Sequence, residues 1–217
     1  MALLLVGVAA LAVGGAFGAV FFKEPPVRTS TTTTAPTTTT TLAPIANLGA
    51  AGKELDALAE AGRQLDYAAV YGVTDKALPE GLVQTVELWR KGKLFRSDIV
   101  ERTGAGTRRQ STISGGAVSR SCETVNGNET CRTIDATPGD LPLAFIRAVV
   151  TAETPPKLTV KDGAVAGYEA RCFEADGIGE LCLAGDGTML RLVLKGAIVQ
   201  LTHIDDKVPD SAFDNAG

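Results

Sequence analysis

The chain has 217 residues, a formal charge of −4 and an isoelectric point near 5.1, enough for one ordinary domain with appendages. Its 21 Lys and Arg residues are scattered, with no basic stripe and no aromatic platform, which excludes a surface built to track a phosphate backbone. The nearest approaches, Arg90-Lys91 and Arg108-Arg109, read as solvated strand ends.

From Ala2 to Phe22 there is no charge, and the run is long enough to cross a bilayer, which takes about 20 apolar residues. A signal peptide opens with a basic region and continues with a short apolar one. Residues 1–22 have neither, so they read as a transmembrane anchor, with cleavage near Ala16-Phe17-Gly18 and secretion as the alternative. Lys23 and Arg28 follow the span and, on the positive-inside rule, favour a cytoplasmic carboxy-terminal side. The cysteines argue the reverse, since paired thiols persist only outside the reducing cytosol, and place the domain outside. No cysteine near the amino terminus is available for lipidation. Residues 23–45, which open KEPPVRTSTTTTAPTTTTTLAP, have almost nothing apolar to bury. They read as a disordered, extended spacer, a candidate for glycosylation, that holds a domain at 46–217 away from the membrane.

Leu48, Leu55, Leu58 and Leu65 recur at helical spacings, with Lys53, Glu54, Asp56, Glu60 and Arg63 between them. They predict an amphipathic helix from Leu48 to about Leu65, weakened by Gly49, Gly52 and Gly62. The period then changes. Tyr67 to Thr74 reads as a strand, and from Val83 the sequence alternates with the two-residue period of half-buried antiparallel strands. Turns at Arg90-Lys91-Gly92, Gly104-Ala105-Gly106, Gly115-Gly116 and Asn126-Gly127 divide residues 83–136 into five strands of a meander. Thr137-Pro138-Gly139-Asp140 ends it, and Asp140 is placed to cap a helix whose first turn accepts Pro142. Leu141, Phe145, Ala148 and Val149 give that helix an apolar face, widened by Ile146 and Val150. After Pro155-Pro156 strands resume, with turns at Asp176-Gly177, Asp186-Gly187 and Gly196, and end near Ile204. The whole is about ten strands and two helices, an α+β domain whose antiparallel sheet curls as strand twist accumulates, with helices on its concave face. Between sheet and helices lies either a packed core, the rule in protein interiors, or a cavity; periodicity does not separate them.

All four cysteines fall on two hairpins. Asn126-Gly127 lies midway between Cys122 and Cys131, and such a pair is a strong two-residue hairpin signal because both positions need positive φ. Counting outward pairs Val125 with Asn128, Thr124 with Glu129, Glu123 with Thr130 and Cys122 with Cys131. The last is a non-hydrogen-bonded pair, close enough for a cross-strand disulfide. Cys172 and Cys182 repeat the arrangement around Asp176-Gly177-Ile178. Two such staples predict a domain that folds outside the reducing cytosol, the alternative being two pairs of buried free thiols.

The residues offer little chemistry. His203, the single histidine, stands two positions from Asp205 on what would be one face of a strand, but two ligands do not close a metal site. Ser97 and Ser114 lie outside any Gly-x-Ser-x-Gly elbow. Gly104-Ala105-Gly106-Thr107 lacks the Lys-Ser/Thr and the helix of a phosphate loop, and Asn128-Glu129-Thr130 is a glycosylation sequon only in a host with that pathway. The chain reads as non-enzymatic, with no metal and no cofactor.

Several segments taken in order, YAAVYGVTD, TVELWRKGKLFRSDI, GYEARCFEADGIGELCLAGDGTMLRL and the closing VPDSAF, resemble the lipoprotein-carrier superfamily of bacterial envelopes. That superfamily includes the periplasmic outer-membrane lipoprotein carrier and the actinobacterial lipoglycan-carrying lipoproteins. The resemblance covers about residues 48–214 and rests on strand order and a few positions. It implies a strongly curved antiparallel sheet, an incomplete barrel closed by helices, around an apolar cavity that shelters acyl chains. Here a subset of Val86, Leu88, Trp89, Phe95, Ile99, Phe145, Val149, Leu190, Leu192 and Leu194 would line it. Trp89 and Arg96 match the Trp and Arg of the family's second and third strands, which implies that Arg96 ties a strand to a helix and gates the cavity. The bottom-up reading of Arg96 is a solvent-facing side chain opposite Trp89. An anchor and spacer in place of a lipidated Cys depart from the family and disfavour long-distance ferrying, which leaves local handover or lipid sensing.

The expected function is thus a membrane-tethered extracytoplasmic protein that binds an acyl-chain-bearing lipid or lipoprotein in envelope lipid handling. The alternatives are a sensory or regulatory ectodomain that binds an envelope protein partner, and a ligand-free structural cell-wall domain.

Overall fold

The structure, a computed structural model, describes residues 48–115, 119–134 and 140–214. The apolar segment 1–22 and the Thr/Pro tract 23–45 lie outside them, as do Gly116 and residues 135–139, part of the expected turn and break before the second helix. Among the described residues no helix is long and apolar enough to cross a membrane.

The chain forms α1 (Gly49–Arg63), β1 (Tyr67–Thr74), β2 (Val83–Lys91), β3 (Leu94–Thr103), β4 (Gly106–Ser114), β5 (Ser119–Val125) and β6 (Asn128–Ile134). Then follow α2 (Leu141–Val150), β7 (Leu158–Val165), β8 (Tyr168–Ala175), β9 (Gly179–Leu183), β10 (Met189–Leu194), β11 (Ala197–Asp205) and a short 3-10 helix, Asp210–Phe213. The eleven strands make one antiparallel sheet in the order β6-β5-β4-β3-β2-β1-β11-β10-β9-β8-β7. Two meanders, β1 to β6 and β7 to β11, are joined by pairing of β1 with β11. Consecutive strands β6 and β7 therefore stand at opposite edges, so the chain between them has to traverse the sheet, and α2, packed against β9 and β10, lies on that path. The sheet is open, with no pairing of β6 to β7 among the described residues.

The meander boundaries follow the turn residues, but the strand count is eleven rather than ten. Ala166 (φ 52°) and Gly167 (φ 85°) form a two-residue turn that separates β7 from β8. An alanine seldom adopts positive φ, so this turn lacks the Asn-Gly or Asp-Gly signature that marks a hairpin in a sequence. The cysteine hairpins have the registers counted from their turns: Cys122 faces Cys131, Cys172 faces Cys182, and each pair is bonded with Cα atoms 4.0 Å apart.

Alternation sends one set of side chains to the face that the helices cover. Ala69 lies opposite Leu88, Tyr71 opposite Val86 and Leu201, and the row continues through Val199, Leu192, Leu181 and Phe173. Leu55 and Ala59 of α1 and Leu141, Phe145, Ile146 and Val149 of α2 join the same buried cluster. Each such large side chain contributes roughly 1.5–3 kcal/mol on burial, which makes this layer the main source of stability. Gly62, a weak point of α1 by propensity, is required by packing: a Cβ there would lie 2.3 Å from the backbone oxygen of Gly187. The turn before β10 presses directly on the helix.

Candidate functional site

Most of the expected lining residues converge. Val86, Leu88, Phe95, Phe145, Val149, Leu190 and Leu192 belong to the single buried cluster between sheet and helices, and Ile99 and Leu194 pack against it. Leu88, Phe145, Leu190 and Leu192 are at most 1% exposed. Trp89 and Arg96 do not join them. Each follows a core-facing neighbour, Leu88 or Phe95, by one residue, and a strand turns successive side chains to opposite faces. Both stand on the outer face, where they pair in register and the Arg96 guanidinium lies 5.2 Å from the Trp89 ring.

The two α-helices are tied to the sheet by Arg90, which shares the face of Leu88, whereas Arg96 ties β3 to the 3-10 helix on the outer face. Arg90 Nη1 donates to the backbone oxygen of Arg63 at the end of α1 (3.1 Å), and Nη2 to Asp140 Oδ2 at the start of α2 (2.8 Å). The guanidinium lies 5.2 Å from the centroid of the Phe95 ring. One side chain of β2 thereby holds the ends of both helices. Asp140 spends its carboxylate on this bond and makes no side-chain cap on α2, contrary to the capping expected of it; its backbone oxygen still accepts from Ala144 N at 3.2 Å. Burial raises the Asp140 pKa, opposed by the nearby charges of Arg90 and Arg63. Beside them burial, aided by the Asp140 charge, pushes the Tyr67 phenol up to about 12. Tyr71, raised by burial as well, donates to the backbone oxygen of Met189 at 3.1 Å and so fastens β1 to β10.

Arg96 is bound rather than solvent-facing. Its Nε and Nη2 each lie 2.8 Å from the two carboxylate oxygens of Asp98, and Nη1 donates to the backbone oxygen of Ala212 in the 3-10 helix at 2.9 Å. Asp98 is fully buried and also receives Arg109 Nη1 at 2.7 Å. A bidentate Arg96 and a single bond from Arg109 on one carboxylate satisfy a charge that would otherwise be costly to bury. Ala212 and Phe213 are buried where the 3-10 helix packs on β3, so the carboxy-terminal strap covers part of the outer face.

The helix-side face changes character from β3 outward. One rung reads Leu88, Ser97, Thr112, Ser121, Arg132 across β2 to β6, and the next reads Phe95, Ser114, Ser119. The principal helix contacts are to β7, β9 and β10, at the other end of the sheet. At the far strand, β6, every residue is exposed except half-buried Ile134.

Elsewhere the chemistry is sparse. His203 and Asp205 are exposed on β11. Glu129 and Glu180 each lie near a cysteine pair, but those sulfurs are bonded to one another and offer no thiolate. An open depression of ≈ 480 Å³ near the β8–β9 and β10–β11 turns is lined by Glu174, Asp176, Glu180, Arg191 and Lys195 among others, and Arg191 is already paired with Glu180.

Neither a family model nor a curated protein matches the sequence. Among solved structures, the chain is similar to MucB in complex with MucA(peri), at 20% identity and a TM-score of 0.46, over 75% of this chain and 58% of that one. It is also similar to MucB alone, at 18% identity and a TM-score of 0.45, over 76% and 62% of the two chains. The chain thus spans about three fifths of their length. Overlap this partial transfers neither a partner nor an activity.

Proposed function

We propose that this is an extracytoplasmic, membrane-tethered binding module without catalytic activity that receives a protein partner from the cell envelope. The observation that carries this reading is the polar wing of β3 to β6. Its helix-side face carries half-buried Ser97, Gln110, Ser114 and Ser119 beside buried Thr112 and Ser121, away from the principal helix contacts, and its last strand is exposed on both faces. Side-chain hydroxyls and an amide supply donors and acceptors that suit a polypeptide better than an acyl chain. The two disulfides support a location outside the reducing cytosol. Residues 1–22 and 23–45 would supply anchor and reach. A photo-reactive residue in place of Gln110 in the full chain, in the producing cell, is expected to cross-link one defined envelope protein. The same probe at Asp56, exposed on α1, is expected to give no such product. Absence of any adduct from the wing refutes the reading.

A second reading keeps the lipid. The expected lining residues do share one apolar layer, and Arg90 holds both helices over it. In this reading the helices lie on the concave face of an incomplete barrel of the lipoprotein-carrier kind and lift to admit an acyl chain. Burial returns about 0.8 kcal/mol per methylene, so micromolar binding, roughly 8 kcal/mol, is within reach of a common chain. A fluorescent fatty-acid probe is then expected to bind the protein and to be lost in Phe145→Glu. Failure of the wild type to bind it retires the lipid.

A further inference from the structure

We propose that β6 is a docking strand, and that an extended segment of the protein partner adds beside it as a twelfth, antiparallel strand. The proposal rests on the partner-binding reading and gives the partner its place. Asn126 (φ 50°) and Gly127 (φ 86°) close a two-residue hairpin in which Val125 faces Asn128, so the hydrogen-bonded pairs of β5 and β6 are those at 125/128, 123/130, 121/132 and 119/134. The 4.0 Å Cα separation at Cys122 and Cys131 marks the alternate, non-hydrogen-bonded set. It follows that Glu129, Cys131 and Thr133 point their backbone N–H and C=O groups outward, away from β5. A row of such groups is a template for another strand.

Three features distinguish this edge. First, among the described residues β6 pairs with β5 alone and is exposed on both faces, so an incoming strand has room on either side. Secondly, a strand that buries so little apolar surface gains little to offset the ordering of its backbone, and the Cys122–Cys131 staple keeps it extended before any partner arrives. Thirdly, the edge is polarised. Arg132 lies on the helix-side face, and Glu129 lies three residues earlier on the outer face. A strand running antiparallel meets Arg132 first. Its complement is therefore a β-forming segment with an Asp or Glu three residues before a Lys or Arg. The opposite edge, β7, fits less well: it packs against α1, and its central Lys161 and Asp162 are already paired with Glu174 and Arg171.

The test selects displayed segments of about eight residues, a typical strand length, on the full chain in detergent. Enriched segments are expected to carry the acidic residue three positions before the basic one. Thr133→Pro removes an outward N–H without breaking the ladder to β5, and is expected to weaken them by about tenfold or more. Ala164→Pro, at the corresponding outward position of β7, is expected to leave them unchanged. Arg132→Glu, which leaves the backbone alone, is expected to weaken the same segments and guards against a folding artefact in the proline variant. Segments that bind Thr133→Pro and Arg132→Glu as tightly as the parent overturn the proposal, as does a selection that yields no binder. If the Gln110 cross-link to an envelope protein persists in Thr133→Pro, the docking strand fails while the partner reading stands. Loss of every wing adduct from the unsubstituted chain removes both.

Discussion

Strands β7 to β11 with β1 and β2, and the wing of β3 to β6, belong to one continuous sheet yet are held by different forces. The first region is a body: its alternate residues are Leu, Val, Phe and Tyr, and two helices seal them. The wing has few residues in that layer. Its order comes from cross-strand ladders, from a smaller outer-face cluster in which Val100 and Ile113 are buried and Phe213 of the strap packs on β3, from buried Asp98 gripped by Arg96 and Arg109, and from a disulfide next to its edge. Apolar burial is non-directional and favours a closed layer, whereas ladders and ion pairs fix strands without requiring an apolar helix-side face. A sheet that changes from one regime to the other acquires a rigid platform and a polar, open edge in the same fold.

The comparison is broken most directly in the body. Phe145→Ala is expected to cost about 3–5 kcal/mol, read as a fall in the denaturant midpoint with an unchanged slope. A loss well under 1 kcal/mol would mean that the layer is not tightly packed, and would favour the lipid reading. The wing gives a smaller and more local effect. Replacing Cys122 and Cys131 together by serine is expected to cost roughly 2–3 kcal/mol, the usual value for a loop of this length. Amide exchange should rise in β5 and β6 while β10 and β11 keep their protection; a uniform rise would erase the distinction between the regions.

The smallest expected effect sharpens the boundary, where Arg90 fastens both helices to β2. A carboxyl whose folded pKa is raised contributes to stability when protonated, fully so below its unfolded value, and that contribution is lost as pH rises through the folded value. Asp140 is such a group, raised chiefly by burial. The stability of the wild type relative to Asp140→Asn should therefore be greatest near pH 3 and should decline through and above the ordinary carboxylate range of about 4. Paired melts from acid to neutral pH check the sign. A difference that grows with pH would show that the Arg90 charge outweighs burial.

Much of the fold was legible because its strands are joined by short turns whose residue chemistry fixes register locally. Asn126-Gly127 determines which residues of β5 and β6 face one another, and Cys122–Cys131 follows from that count, as Cys172–Cys182 does from the turn at Asp176-Gly177-Ile178. The hidden turn at Ala166-Gly167 shows the limit, since an alanine at φ 52° is held there by the pairing of β7 with β8 and has no local preference for it. The candidate site was legible in part. Leu88 and Leu192 were recognisable as core by alternation, but Trp89 beside Leu88 breaks the same alternation and belongs to the other face.

What the sequence by itself determined, then, is local: the hairpins, their registers, the α2 apolar face and the cysteine pairs, all set by interactions between residues near in the chain. What only the tertiary structure decided is which distant segments meet. Pairing of β1 with β11 closes the two meanders into one sheet and sets β6 and β7 at opposite edges. The same assembly gives Arg90, and not Arg96, the ends of both helices, and leaves β6 open while β7 packs beside α1. These contacts join residues tens of positions apart, where periodicity and turn chemistry carry no information, and they are selected by the burial of one shared apolar layer.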